Sequence, residues 1–92
     1  MVRETEIEKY LKKLVEEKGG VCWKFTSSVS GVPDRVVLLP AGIVGFCEVK
    51  RQRGVPRPQQ VKKILQIQRL GTNATWIDSK ESARRFINEI CS

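Results

Sequence analysis

Gly31-Val32-Pro33-Asp34-Arg35-Val36-Val37-Leu38-Leu39 and, beyond a Pro40-Ala41-Gly42 turn, Gly45-Phe46-Cys47-Glu48-Val49-Lys50 decide the fold of this chain. Both segments are short, β-branched and apolar, which predicts two β-strands, and the intervening turn residues predict a hairpin. Val36 to Leu39 is apolar without a break, so this strand is expected to lie centrally in its sheet. Asp34, Glu48 and Lys50 break that apolar character, and the hairpin brings all three to one edge. Side chains alternate along a strand, so Glu48 and Lys50 share a face while Val49 points the other way.

Ahead of the hairpin, Ile7, Leu11, Leu14 and Val15 recur at helical spacing between about Arg3 and Lys18, with Gly19-Gly20 as the stop. Glu4 and Glu8 lie one turn apart near the edge of that apolar stripe. Their structural roles would be a capping box of Glu8 with Thr5 and a helix-dipole partnership for Glu4. Val21 to Thr26 reads as a strand, and Ser27 to Gly31 as a small polar loop. Behind the hairpin, Arg51-Gln52-Arg53-Gly54-Val55-Pro56-Arg57-Pro58 leads into a helix over about Pro58 to Leu70, since its prolines suit a helix start. Val61, Ile64, Leu65 and Leu70 are expected inward there, with Ile67 as apolar surplus. Thr72 to Ile77 predicts a fourth strand. Asp78 and Glu81 have capping-box spacing ahead of a last helix carrying Ala83, Phe86, Ile87 and Ile90. The expected fold is α/β, a mixed β-sheet flanked by helices, in the order α-β-β-β-α-β-α.

The 92 residues are expected to form one domain with a single modest core. No run approaches the roughly 18 apolar residues that a membrane span requires, and the charged opening Met1-Val2-Arg3-Glu4 is unlike a signal peptide. Three cysteines without a CxxC spacing point away from disulfides and zinc, and toward a reducing, cytoplasmic setting. Cys22 and Cys47 are expected as small core residues. Seventeen basic against ten acidic residues give a formal charge of +7, which favours a polyanionic partner such as DNA. There is no histidine, so Ser-His-Asp hydrolysis, HNH-type nuclease chemistry and His-ligated zinc are all excluded. Any catalysis must rest on carboxylates and lysine.

Two carboxylates and a lysine in this arrangement suit phosphodiester hydrolysis. Mg²⁺ prefers hard oxygen ligands, commonly one or two carboxylates with retained waters, and Asp34 and Glu48 would supply them. Val49 could pack in the core while its carbonyl faces the metal. Lys50 could orient the attacking water and offset phosphate charge. The structural alternative is a Pro33-Asp34 turn with an exposed Glu48–Lys50 ion pair. The apolar neighbours Val44, Phe46 and Val49, and the arginines that follow Lys50, favour the metal site.

These residues resemble a family. Gly31-Val32-Pro33-Asp34-Arg35, then Glu48-Val49-Lys50, then Pro56-Arg57-Pro58-Gln59-Gln60 are similar to the motifs of the virus-type replication-repair nuclease (VRR-NUC) domain of the PD-(D/E)xK superfamily, over nearly the whole chain. The resemblance implies a restriction-endonuclease-like core. It makes Asp34, Glu48 and the Val49 carbonyl metal ligands, Lys50 the catalytic lysine, and Gln60 a supporting polar group. Glu4 becomes the first-helix acid, with Glu8 as alternative. It implies Mg²⁺, with Mn²⁺ able to substitute, and a role in DNA repair or recombination, in host cytoplasm if the chain is phage-encoded. Small stand-alone members imply a homodimeric Holliday-junction resolvase acting on branched DNA or four-way junctions. Lys24, Ser27, Ser28, Arg35, Arg51, Arg53 and Arg57 flank the site and are the candidate phosphate contacts. The rivals are a monomeric nuclease of flaps or single-stranded ends and a non-catalytic DNA-binding module.

Overall fold

A computed structural model describes residues 1–92 and gives the expected order of elements. These are helix α1 (Glu4–Glu17), strands β1 (Val21–Lys24), β2 (Arg35–Leu39) and β3 (Ile43–Val49), helix α2 (Pro58–Arg69), strand β4 (Asn73–Ile77) and helix α3 (Lys80–Cys91). The strands form one mixed sheet in the order β1-β2-β3-β4. The first two pairings are antiparallel and β3 pairs with β4 in parallel, a geometry that requires a crossover, here supplied by α2. The continuous apolar run Val36–Leu39 lies in β2, an inner strand, as its composition requires.

Residues of one parity along the strands face α1 and α3. Cys22, Val37, Leu39, Cys47, Val49 and Ile77 pack there with Ile7, Leu11 and Val15 of α1 and Ala83, Phe86 and Ile87 of α3. Both buried cysteines are therefore core residues. Burial raises the thiol pKa of each, most strongly at Cys47, which keeps them protonated and unreactive.

Several local details differ from the sequence expectation. β1 ends at Lys24, although Phe25 N–H still donates to the Asp34 carbonyl at 2.8 Å. α1 starts after Arg3, whose side chain makes no cap, so there is no Thr5–Glu8 capping box. The last helix is capped by Ser79 and not by Asp78: Ser79 Oγ accepts from Ser82 N–H at 3.0 Å, and Ser82 Oγ accepts from Ser79 N–H at 3.1 Å. α2 turns a different face inward than expected. Gln60 and Ile64 are buried and Ile67 is half-buried, whereas Val61, Leu65 and Leu70 are exposed. The reason is that α2 packs mainly against β4, with Gln60 at its start reaching Glu48 of β3, which turns Ile64 inward and leaves Val61 and Leu65 outward.

Candidate active site

Strand direction concentrates the chemistry at one end of the sheet. Lys24 ends β1, Asp34 immediately precedes β2 and Arg35 begins it, and Glu48 and Val49 end β3, with Lys24 opposite Arg35 and Arg35 opposite Cys47 in the ladder. The parity of β3 puts Cys47 and Val49 into the core and turns Glu48 to the opposite face. There the first turn of α2 delivers Gln60, whose Nε2 donates to Glu48 Oε2 at 3.2 Å. Gln60 Oε1 meanwhile accepts from the backbone N–H of Arg57 at 2.8 Å, so one side chain both caps the helix and holds the carboxylate. Gly31 makes this approach possible. Its φ is +88°, and a Cβ there would lie 2.7 Å from the Gln59 carbonyl oxygen, so only glycine lets the loop ahead of β2 lie against the start of α2.

Glu48 is 6% exposed and pairs with Lys50, whose Nζ lies 3.5 Å from Oε2. Desolvation by burial raises the Glu48 pKa, and the neighbouring Asp34 carboxylate raises it further. Lys50 pulls it down, but not enough to cancel the rise. Asp34 is half-buried. Its Oδ2 lies 3.7 Å from Arg35 Nη1, and its Oδ1 is buried with no hydrogen-bond partner.

Two further acids reach this edge from α1. Carboxylate oxygens of Glu4, Glu8 and Asp34 all lie within 4.8 Å of one another. Glu8 is already engaged, since Arg35 Nη2 is 2.7 Å from its Oε1, while Glu4 is exposed and makes no ion pair. The structure therefore joins Glu4, Glu8 and Asp34 in one carboxylate cluster and sets Glu48, with Lys50 and Gln60 on its carboxylate, close enough to feel the Asp34 charge but outside that cluster. An orphaned buried carboxylate oxygen, further acids beside it and a carboxyl with a raised pKa are the features that a bound divalent cation would satisfy, so the donor set fits such an ion.

The candidate phosphate contacts divide in two. Lys24, Ser27, Ser28, Arg51, Arg53 and Arg57 are exposed. The Arg35 side chain is only 14% exposed and is committed to Glu8. That ion pair joins residues 27 positions apart on different elements, and no local pattern in the sequence signals it. A pair of hydrogen bonds near the site is equally silent in the sequence: Val2 N–H donates to Gln52 Oε1 at 2.9 Å and Gln52 N–H donates to the Val2 carbonyl at 3.1 Å.

No protein-family model matches the chain. It is 38% identical over 82 residues to "Putative nuclease p44" of Acyrthosiphon pisum secondary endosymbiont phage 1, an alignment spanning 88% of each chain. Among solved structures, one described as "VRR_NUC domain" superposes with a TM-score of 0.85 at 29% identity, covering 96% of this chain and 97% of that one.

Proposed function

Since this chain belongs to the VRR-NUC family of nucleases, we propose that it is a Mg²⁺-dependent endodeoxyribonuclease that cuts branched duplexes as a homodimeric Holliday-junction resolvase. The observation that carries the hydrolytic reading is the buried, unpartnered Asp34 Oδ1 among the carboxylates of Glu4, Glu8 and Glu48. In this reading residues 1–92 act as one nuclease domain inside the cell, and Mn²⁺ substitutes for Mg²⁺.

Asp34, Glu48 and the Val49 carbonyl would hold the cation. Glu4 is the first-helix acid, because Glu8 is tied to Arg35. Bound there, the ion supplies Lewis acidity toward a phosphoryl oxygen and hydroxide near neutral pH. The chain's own residues do the positioning. Lys50, held beside Glu48, orients the attacking water and offsets charge on the phosphoryl group. Gln60 fixes the Glu48 carboxylate so that its oxygens keep their direction as charge develops. Lys24, Ser27, Ser28, Arg51, Arg53 and Arg57 are exposed and flank the site residues in sequence, and in this reading they meet the DNA backbone.

The test is incubation of the protein with a labelled four-way junction and Mg²⁺ or Mn²⁺, with Asp34→Asn and Lys50→Ala alongside. The wild type is expected to cut. Each variant should lose at least about a hundredfold in rate, the lower range for loss of a positioned acid–base or charge-stabilising group, while still binding the junction. Binding by the wild type with no cleavage in either metal would sink the enzyme reading.

A further inference from the structure

We propose that the cleft between α1 and β1, lined by Lys9, Lys12, Lys24 and Arg35, binds the phosphate backbone of the DNA strand beside the bond to be cut. The cleft has a volume of about 240 Å³, and Glu8 and Cys22 complete its lining. This inference rests on the nuclease reading and deepens it by assigning a path for the substrate.

Four cations thus surround a space that holds one carboxylate. Arg35 pairs with that carboxylate at 2.7 Å, which leaves no unpaired acid among the residues lining the cleft. Lys9 and Lys12 are three positions apart on α1, a spacing that places both on one side of the helix, and both are exposed. Lys24 faces them from the end of β1, opposite Arg35 in the ladder. The combined field reaches the cleft wall. At Cys22, Arg35 and Lys12 both pull the thiol pKa down against the larger effect of burial, and Glu16 and Glu8 push it up.

Position supplies the rest of the argument. Glu8 belongs both to this cleft and to the cluster with Glu4 and Asp34, so the cationic space adjoins the carboxylates directly. A DNA strand held with one phosphodiester at Asp34 and Glu48 has its neighbouring phosphates within a nucleotide or two. On the β1 side this cleft is what they meet. Lys9 and Lys12 here extend the basic surface beyond the residues flanking the hairpin in sequence. Arg35 serves at the floor as a positioning residue: it removes the charge of Glu8 rather than contacting phosphate.

The experiment is fluorescence anisotropy with a labelled duplex and a labelled four-way junction, in EDTA, over a series of salt concentrations. Lys9→Ala/Lys12→Ala is compared with the wild type and with Lys18→Ala/Lys62→Ala, which removes the same charge from exposed positions elsewhere. Alanine favours a helix at least as well as lysine, so the fold tolerates these changes, and circular dichroism verifies it. The cleft variant is expected to bind about tenfold more weakly, with a slope of log K against log salt shallower by about 2, roughly 0.9 for each lost phosphate contact. The control pair should keep the wild-type slope. An unchanged slope in the cleft variant, or an equal loss in the control pair, overturns the proposal. Wild-type cleavage with Mn²⁺ is measured in parallel: if the wild type cuts DNA, such a result refutes the cleft alone. A wild type that neither binds nor cuts overturns both this inference and the nuclease reading.

Discussion

Glu48 is where the cost of the site is concentrated. Its pKa is raised above the ordinary 4.5, mainly by burial and then by Asp34, so folding shifts the carboxyl toward its protonated form relative to the unfolded chain. The folded state then binds more protons than the unfolded one between 4.5 and the raised value, and stability is lost as pH rises through that window. In EDTA, Glu48→Gln lacks this loss. Its melting temperature relative to the wild type should therefore rise from about pH 4 to about pH 8 in a thermal scan, and a gap that stays constant would contradict the assignment. Cation binding requires the ionised carboxylate and so competes with the proton. Calorimetric titration with Mn²⁺ should show affinity falling as pH drops through the raised Glu48 pKa, and falling much less in Glu48→Gln. The placement of Asp34, Glu48 and Lys50 at one edge of the sheet was legible in the sequence because strand parity and one short turn fix their positions relative to each other. The engagement of Glu8 by Arg35 was not, because it depends on how α1 crosses the end of β2. That pair is what separates Glu4 from Glu8, two acids that spacing alone leaves equivalent.

At the level of elements, periodicity was informative wherever a helix buries a full face. Ile7, Leu11 and Val15 of α1, and Ala83, Phe86 and Ile87 of α3, all lie where their spacing puts them. α2 misleads because its apolar residues occupy two adjacent faces, Ile64 and Ile67 on one and Val61 and Leu65 on the other, and only its tertiary contacts choose between them. The inward choice brings Gln60 to Glu48, so this hydrogen bond and the packing of Ile64 are met by one helix orientation. The cap of α3 was misplaced by one residue, since Asp78 and Ser79 are both good N-cap types and only the backbone geometry separates them. Ser79→Ala should cost about 1 kcal/mol in a denaturant titration, the usual loss for a removed cap. Asp78→Ala should change stability by no more than about 0.5 kcal/mol, and the reverse ranking would refute the Ser79 cap.

For the whole molecule, the arrangement is lopsided. One face of the sheet is covered by α1 and α3, while α2 shelters mainly β4 on the other. Trp23 remains 58% exposed and Leu65 43%, with Phe25 and Phe46 in edge-to-face contact 5.6 Å apart between centroids. In the homodimeric reading this is apolar surface that a second copy would cover. Sedimentation at micromolar concentration should give a dimer for the wild type and a shift toward monomer for Trp23→Ser/Leu65→Ser. A wild-type monomer would favour a nuclease of flaps or single-stranded ends. The paired bonds between Val2 and Gln52 bear on how the molecule can be handled. They anchor the first residues of α1's approach two positions beyond Lys50, whereas α3 runs back from the end of β4 and leaves Ser92 exposed. An affinity tag or fusion partner joined ahead of Met1 would emerge close to the Val2–Gln52 bonds and strain them. The same tag placed after Ser92 would leave the carboxylate edge of the sheet free.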